Sequence, residues 1–306
     1  MSGTWLKIGR IYDPSARATH PKLLTHAANP LPVQINGSVY RCFFSSRDSQ
    51  QRSSVGAVDI DIEQNQIVQE FHEPFFVYGP EGSFYADGVS IGNCYVADGK
   101  RYMLFMGWRN PTDSHWRGEI GRLVVTEDLK LELESTEPFM PLSERDPISL
   151  SYPWVLQDSA TEYQMWFGST RTWDAGNNEM LHTIEHATST DGHHWTRTPH
   201  SIPHEIGIAQ AFSKPTVVRC QDNEYQMWFS YRSGSGSTYR IGHAKSQNCL
   251  DWTLDLNSAN LSVSPSGWDS EMVEYPFVFK HKEKLFMLYN GNSYGKTGFG
   301  VAVLKV

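Results

Sequence analysis

Pro153-Trp-Val155, Tyr163-Gln-Met-Trp-Phe167, Ile184-Glu-His-Ala-Thr-Ser-Thr-Asp-Gly192 and Trp195 follow one another along the chain, and the same series returns as Pro215-Thr-Val217, Tyr225-Gln-Met-Trp-Phe229, Ile241-Gly-His-Ala-Lys-Ser246 and Trp252. In both copies ten residues separate the proline from the tyrosine. Weaker copies begin at Pro30, Gly88 and Pro276. A unit that recurs every 60 residues or so cannot bury its apolar face alone and stacks on its neighbours. Five strand-rich copies in 306 residues predict one domain, residues 1–306, folded as an all-β five-bladed propeller.

Each unit resolves into strands parted by turn residues. The first strands read Pro30-Leu-Pro-Val-Gln-Ile35, Gly88-Val-Ser-Ile91, Pro153-Trp-Val-Leu156, Pro215-Thr-Val-Val218 and Pro276-Phe-Val-Phe279. The second begin at Tyr40, Tyr102, Tyr163, Tyr225 and Leu285. Hairpin turns are expected at Asn36-Gly37, Asp98-Gly99, Asp158-Ser159, Asp222-Asn223 and Lys282-Glu283. Third strands carry a small residue at Gly56, Gly121, Gly242 and Gly300, with Glu185 in its place in the middle unit. Fourth strands should contain Trp195 and Trp252. The last unit ends at Val306, too soon for a fourth strand. Thr4-Trp5-Leu-Lys-Ile8 resembles His194-Trp195-Thr and Asp251-Trp252-Thr, so the N-terminal strand is expected to complete the four-stranded last blade and hide its open edge.

Composition narrows the function. A net charge of −8 argues against a nucleic-acid partner, which needs a basic face. No run approaches the roughly 18 apolar residues of a membrane span. Abundant aromatics (10 Trp, 14 Tyr, 15 Phe) suit a β protein with large packing side chains. The start Met-Ser-Gly-Thr-Trp-Leu-Lys lacks a signal peptide's apolar stretch, and Cys42, Cys94, Cys220 and Cys249 read as free thiols, so a cytoplasmic setting is expected. No cofactor or metal is expected. His182 and His186 are four apart, which in a strand is about 13 Å and too far for one ion. Gly234-Ser-Gly-Ser237 precedes no helix and is no phosphate cradle.

Innermost strands line a propeller's channel, and their first residues ring its mouth. Aligned on the proline or glycine, the preceding residues are Asn29, Asp87, Tyr152, Lys214 and Tyr275; one step earlier stand Ala28, Ala86, Ser151, Ser213 and Glu274. Asp87 and Glu274 thus face one axis. Two carboxyl groups across a cavity are the minimum for glycosidic cleavage. Asp48 is a third candidate, with Arg47 beside it as an anion or hydroxyl ligand. Glu271 is the substitute should Glu274 point away. His26, Arg232 and Asn290 reach the same rim and supply donors and acceptors for hydroxyls. Arg145-Asp146-Pro147 is out of register with that ring.

Together these features resemble the five-bladed propeller glycosidases: glycoside hydrolase family 43, the invertase family and the mannoside phosphorylases of family 130. Thr25-His-Ala-Ala-Asn-Pro30, Ser46-Arg-Asp48, Gly267-Trp-Asp-Ser-Glu-Met-Val-Glu-Tyr-Pro276 and Leu288-Tyr-Asn-Gly-Asn-Ser-Tyr-Gly-Lys-Thr-Gly-Phe-Gly300 look like a bacterial subgroup often associated with surface-polysaccharide genes. The family 43 likeness implies an Asp base before the first unit's proline, a second Asp and a Glu general acid. Asn29 stands at the first position here, so the base role passes to Asp87 or Asp48, or hydrolysis is lost. The subgroup's usual arginine before the fourth unit's proline is Lys214. The resulting expectation is a carbohydrate-active enzyme that cleaves or transfers a glycosidic bond, with Glu274 as acid, Asp87 as base or nucleophile and Asp48 orienting. His26, Asn29, Arg47, Tyr152, Lys214, Arg232, Glu271, Tyr275 and Asn290 would hold a carbohydrate that carries hydroxyls or an anionic group. The alternatives are a glycan-binding propeller without catalysis, a sugar-transferring enzyme of polysaccharide assembly, or a scaffold for protein partners. The oligomeric state has no signal in the sequence.

Overall fold

A computed structural model describes residues 3–17, 20–220, 224–234 and 238–305. They form an all-β chain of short antiparallel meanders. The N-terminal strand is β1 (Thr4–Tyr12). The first meander is β2 (Thr25–Asn36), β3 (Val39–Arg47), β4 (Ser53–Asp61) and β5 (Gln66–Glu70). The second is β6 (Gly88–Ala97), β7 (Lys100–Arg109), β8 (Arg117–Val125) and β9 (Leu131–Leu133). The third is β10 (Leu150–Ser159), β11 (Glu162–Thr172), β12 (Leu181–Ser189) and β13 (Thr196–Ser201). Then come β14 (Ala211–Arg219), β15 (Tyr225–Arg232), β16 (Arg240–Ser246) and β17 (Trp252–Leu254). The chain closes with β18 (Glu274–His281), β19 (Lys284–Asn290) and β20 (Phe299–Lys305).

Each strand pairs with the next in its meander. Single parallel bridges, Ser53 with Gly88 and His182 with Ala211, tie the first meander to the second and the third to the fourth. The last sheet runs β1-β20-β19-β18, with Trp5 opposite Leu304. Trp252 opens β17, whereas Trp195 falls one residue before β13. The short turns follow from backbone chemistry. Asp98 and Gly99 both adopt the left-handed φ (48° and 71°) that a two-residue hairpin demands. Lys282 does so at the last hairpin. The strand pairing carries β10 through Ser159, so its turn falls beyond the expected Asp158-Ser159. The expected turn at Asp222-Asn223 and part of the Gly234–Ser237 loop lie outside the described residues.

Large aromatics pack one meander on the next. Trp5 meets Trp228 edge-on at 5.7 Å, and Trp252 meets Trp166 in the same way at 5.8 Å. In each pair an outer-strand indole covers the second-strand indole of the preceding meander. The small residue of the third strands has a matching cause: a Cβ on Gly121 would stand 2.2 Å from the Phe105 ring. Glu185 departs from this rule. Its buried carboxylate instead accepts from Thr183 at 2.7 Å and pairs with Arg171.

Candidate active site

The inner strands break register at one place, and the break shapes the site. β2 loses pairing between Ala28 and Leu31, β10 between Ser151 and Trp154, β14 between Ser213 and Thr216, and β18 between Glu274 and Phe277. The first skipped residue has a left-handed φ each time: Asn29 57°, Tyr152 38°, Lys214 52° and Tyr275 51°. A proline follows each of them. It has no N–H to lose where the ladder is already interrupted. Left-handed backbone costs a residue with a side chain roughly 1–2 kcal/mol. Here it turns four side chains at corresponding places in four strands.

The second meander corrects the sequence alignment. It lacks the proline, and Gly88 was read in its place. Third-strand partners supply the true correspondence. Phe44 opposite Gly56, Phe105 opposite Gly121, Phe167 opposite Glu185, Phe229 opposite Gly242 and Tyr289 opposite Gly300 are equivalent. The residue after each pairs with Ala28, Ser90, Ser151, Ser213 and Glu274. Ser90, and not Ala86, is therefore the counterpart of Glu274. Asp87 lies four residues before the place assigned to it, in the loop that enters β6. There its Oδ2 accepts from the Asn110 N–H at 2.7 Å.

A cavity of about 420 Å³ opens over the serine–glutamate level. Ser90, Ser151 and Ser213 line it, together with Tyr152 and Tyr275. Those two rings lie 5.4 Å apart. Its walls come from strand ends and loops: Arg47, Trp108, Asn110 and Trp116 among them, with His182, Arg232, Tyr239 and Tyr294. Among the described residues no Asp or Glu side chain lines it.

Glu274 sits just behind this lining. It is fully buried, and neither carboxyl oxygen has a hydrogen-bond partner among the described residues. Burial pushes its pKa well up. Arg232, Arg47 and the Tyr294 amide oppose that shift without overcoming it, and the amide does not reach hydrogen-bond geometry. Glu274 in turn raises the phenols of Tyr152, Tyr239 and Tyr275, for each of which burial is the larger cause. A carboxyl group kept protonated in a phenol-lined setting, with no partner of its own, is suited to donating a proton.

The other expected residues fall into separate groups. Arg47, Tyr152, Arg232 and Tyr275 line the cavity. Asp48 is spent on its own turn: its carboxylate accepts from the Gln50 and Arg52 N–H groups at 2.8 and 2.9 Å and pairs with the Arg52 guanidinium. Although burial opposes it, those bonds hold the Asp48 pKa low. Asn290 is a clamp, donating to Ala27 O and Gly298 O and accepting from the Asn29 N–H. Asn29 keeps a buried side-chain oxygen with no partner. Glu271 is exposed, and its backbone N–H, not its carboxylate, bonds Asn292. His26 is buried, with a pKa lowered to about 4 by burial and then by Arg47 and Lys296. Lys214 crosses from β14 to donate to Ile91 O and Gly92 O of β6. It is wholly enclosed, and burial lowers its pKa to about 7.

Sequence reasoning missed His182, Glu179 and Tyr239. His182 holds the Ser151 hydroxyl at 2.6 Å through Nε2 and Thr170 at 2.8 Å through Nδ1. Burial lowers it to a pKa of about 3, so it is neutral at neutral pH. Glu179 forms an ion pair with Arg232 at 2.9 Å and accepts from its Nη2 at 3.1 Å. No motif marks any of the three. His186 serves a separate network with Thr198 and Gln164, which leaves the two histidines unrelated.

Comparison with known proteins agrees with the fold. No family model matches the chain. Uncharacterized protein Rv1502 of Mycobacterium tuberculosis is 41% identical over 303 residues, covering 98% of this chain and 99% of the relative. Uncharacterized protein MT1551, from another strain of the same species, matches to the same extent. Among solved structures, a glycoside hydrolase superposes with a TM-score of 0.71 at 13% identity, over 97% of this chain and 91% of its own. A thermostable family-43 glycoside hydrolase gives 0.67 at 15% identity, over 94% and 91%. A structure described under the GH130 family of mannoside phosphorylases gives 0.71 at 10% identity, over 99% and 94%. At such identities the structures speak for the fold, that of the glycoside hydrolase propellers.

Proposed function

Because the chain belongs to the same family as the Mycobacterium tuberculosis proteins Rv1502 and MT1551 and has the fold of glycoside hydrolase propellers, we infer that it is a carbohydrate-active enzyme that cleaves or transfers a glycosidic bond. The observation that carries this reading is Glu274, buried and unpartnered behind a tyrosine-lined cavity. Its carboxylic acid gives a proton to the glycosidic oxygen as the bond from that oxygen to the anomeric carbon breaks. Water or a sugar hydroxyl then adds to the carbon and loses its own proton to a base. Asp87 is the base assigned here, through its contact with the cavity residue Asn110. Asp48 acts only indirectly, by fixing the turn beside Arg47. Arg47, Tyr152, Arg232 and Tyr275 surround the sugar, with His26 and Asn29 enclosed at the entry of β2, while Lys214 and Asn290 brace the inner strands. Glu271 has no part in this reading.

Five meanders closed into a ring by β1 form the scaffold of this proposal, as one domain over residues 1–306. Trp5→Ala tests the closure. Removing a buried indole costs about 3–5 kcal/mol, and a melting temperature that does not fall would refute it. A reducing, cytoplasmic setting also belongs to the proposal, consistent with the buried thiols Cys42 and Cys249.

Turnover by the parent and by Glu274→Gln on aryl glycosides and oligosaccharides tests the chemistry. The amide keeps the shape and lacks the acidic proton, so turnover should fall with little change in melting temperature. Undiminished turnover rejects Glu274 as the acid. One observation favours a second reading, glycan binding without catalysis: among the described residues no carboxylate lines the cavity as partner to Glu274. A parent that binds glycans and turns over none of them selects that reading.

A further inference from the structure

The charges around the cavity are unbalanced in a way that the surrounding protein is not. The whole chain carries −8, yet among the described residues the cavity lining has two guanidinium groups and no carboxylate. One of the two is neutralised: Arg232 lies against Glu179. The other, Arg47, forms no ion pair among the described residues. Its one side-chain hydrogen bond is a long contact of 3.4 Å to Gln51. Arg47 is half-buried at the end of β3, where solvent screens it only in part. The nearby acids do not supply a counter-charge. Glu274 makes no hydrogen bond or ion pair with Arg47 among the described residues, with burial opposing its charge, and Asp48 is committed to Arg52. A second cation, the exposed Lys296, acts with Arg47 on His26. Elsewhere several enclosed arginines have a carboxylate partner, Arg41 with Asp59, Arg122 with Glu134 and Arg171 with Glu185, and half-buried Arg240 donates instead to Thr238 and to the carbonyls of Tyr239 and Glu271. An arginine left unpaired beside a cavity of this size is placed for an anion that arrives from outside.

We propose that the cavity receives an acidic glycan, one whose sugar bears a carboxylate or phosphate group, and that the Arg47 guanidinium pairs with that group. The proposal rests on the carbohydrate reading above and adds the substrate's charge to it. The guanidinium fork fits either oxyanion, and Ser90 and Ser213 offer hydroxyls to the sugar. Ser213 Oγ is buried and has no partner of its own. Burial is the main cause of the low His26 pKa, and the bound anion would offset the smaller contribution of Arg47 and Lys296, so His26 should titrate higher in the complex.

The test is calorimetric titration of the full chain with four probes: an oligogalacturonate, glucose 6-phosphate, a neutral galactose oligosaccharide and inorganic phosphate. Proton NMR of His26 with each probe is the second readout. The acidic sugars should bind about 10–100-fold more tightly than the neutral one, with an advantage that shrinks as salt rises. Arg47→Gln should erase most of that advantage, and Arg47→Lys should restore part of it. Preference between the first two probes identifies the carboxylate or the phosphate as the natural group. Equal binding of neutral and acidic sugars, or an acid preference that survives Arg47→Gln, overturns the proposal and leaves the carbohydrate reading standing. Inorganic phosphate bound as tightly as either acidic sugar overturns the glycan part. Binding of no sugar at all overturns both readings together.

Discussion

Ser151 in β10 and Glu274 in β18 occupy the same place in two inner strands, one residue before the left-handed tyrosine of each bulge. Their surroundings differ. Ser151 is held by His182, which is held in turn by Thr170, so each polar atom of that chain has a partner. Glu274 is equally buried, and both its oxygens are unpartnered. An unmet buried carboxyl is costly, whereas a serine or alanine at this place is not, and the other four strands have those residues. The difference separates a position that serves the fold from one that lowers stability in return for chemistry.

The largest expected effect breaks the comparison at Glu274. Glu274→Gln should lower turnover about 10²–10⁴-fold, measured on whichever glycoside the parent accepts, and leave the melting temperature nearly unchanged. The mirror-image experiment is Thr170→Val. It leaves His182 Nδ1 buried without a partner, and should cost about 1–3 kcal/mol of stability by denaturant unfolding while turnover stays near the parent's. Should Thr170→Val abolish turnover with stability intact, the Ser151 side belongs to the chemistry and the contrast fails.

Smaller effects lie in the pH dependence of stability. Burial raises the folded pKa of Glu274 well above the 4.5 of an ordinary glutamate. The folded state therefore binds the extra proton in that window. Stability is fully present below about 4.5 and declines as pH rises toward the folded pKa. Glu274→Gln should flatten that part of the profile. Lys214 gives the opposite sign. Its folded pKa is lowered from 10.5 to about 7, so between those values the unfolded chain binds more protons and stability rises with pH. Unfolding curves of Lys214→Met between pH 7 and 10 should lack that rise. The same slope in parent and variant would show that Lys214 does not titrate in this window.

The alignment of Asp87 shows where sequence reading runs out. Pro30, Pro153, Pro215 and Pro276 mark bulges, because proline tolerates the missing hydrogen bond, and there the repeat aligned itself. The second meander has Gly92 and Asn93 at its break. With no proline to mark the break, Gly88 looked equivalent, and Asp87 was carried four residues out of place. Asp48 was misleading for another reason. In sequence it is a carboxylate at a strand end, and its Arg52 partner lies only four residues on; nothing local tells a self-capped turn from a side chain facing a cavity. Glu179 and His182 carry no spacing signal, since their partners Arg232 and Ser151 are 53 and 31 residues away.

The sequence by itself determined the strands, their order within each meander and the outer strand to which Trp5 belongs. Those depend on alternating apolar residues, turn residues with left-handed φ and a recurring indole, all of which act over a few residues. Which carboxyl group stands behind the cavity, which arginine lacks a counter-ion and which histidine is neutral were decided by tertiary structure alone. Cross-strand register sets where a side chain points, and burial by distant strands sets what charge it carries. Both are sums over neighbours far apart in the chain, and no local pattern encodes them.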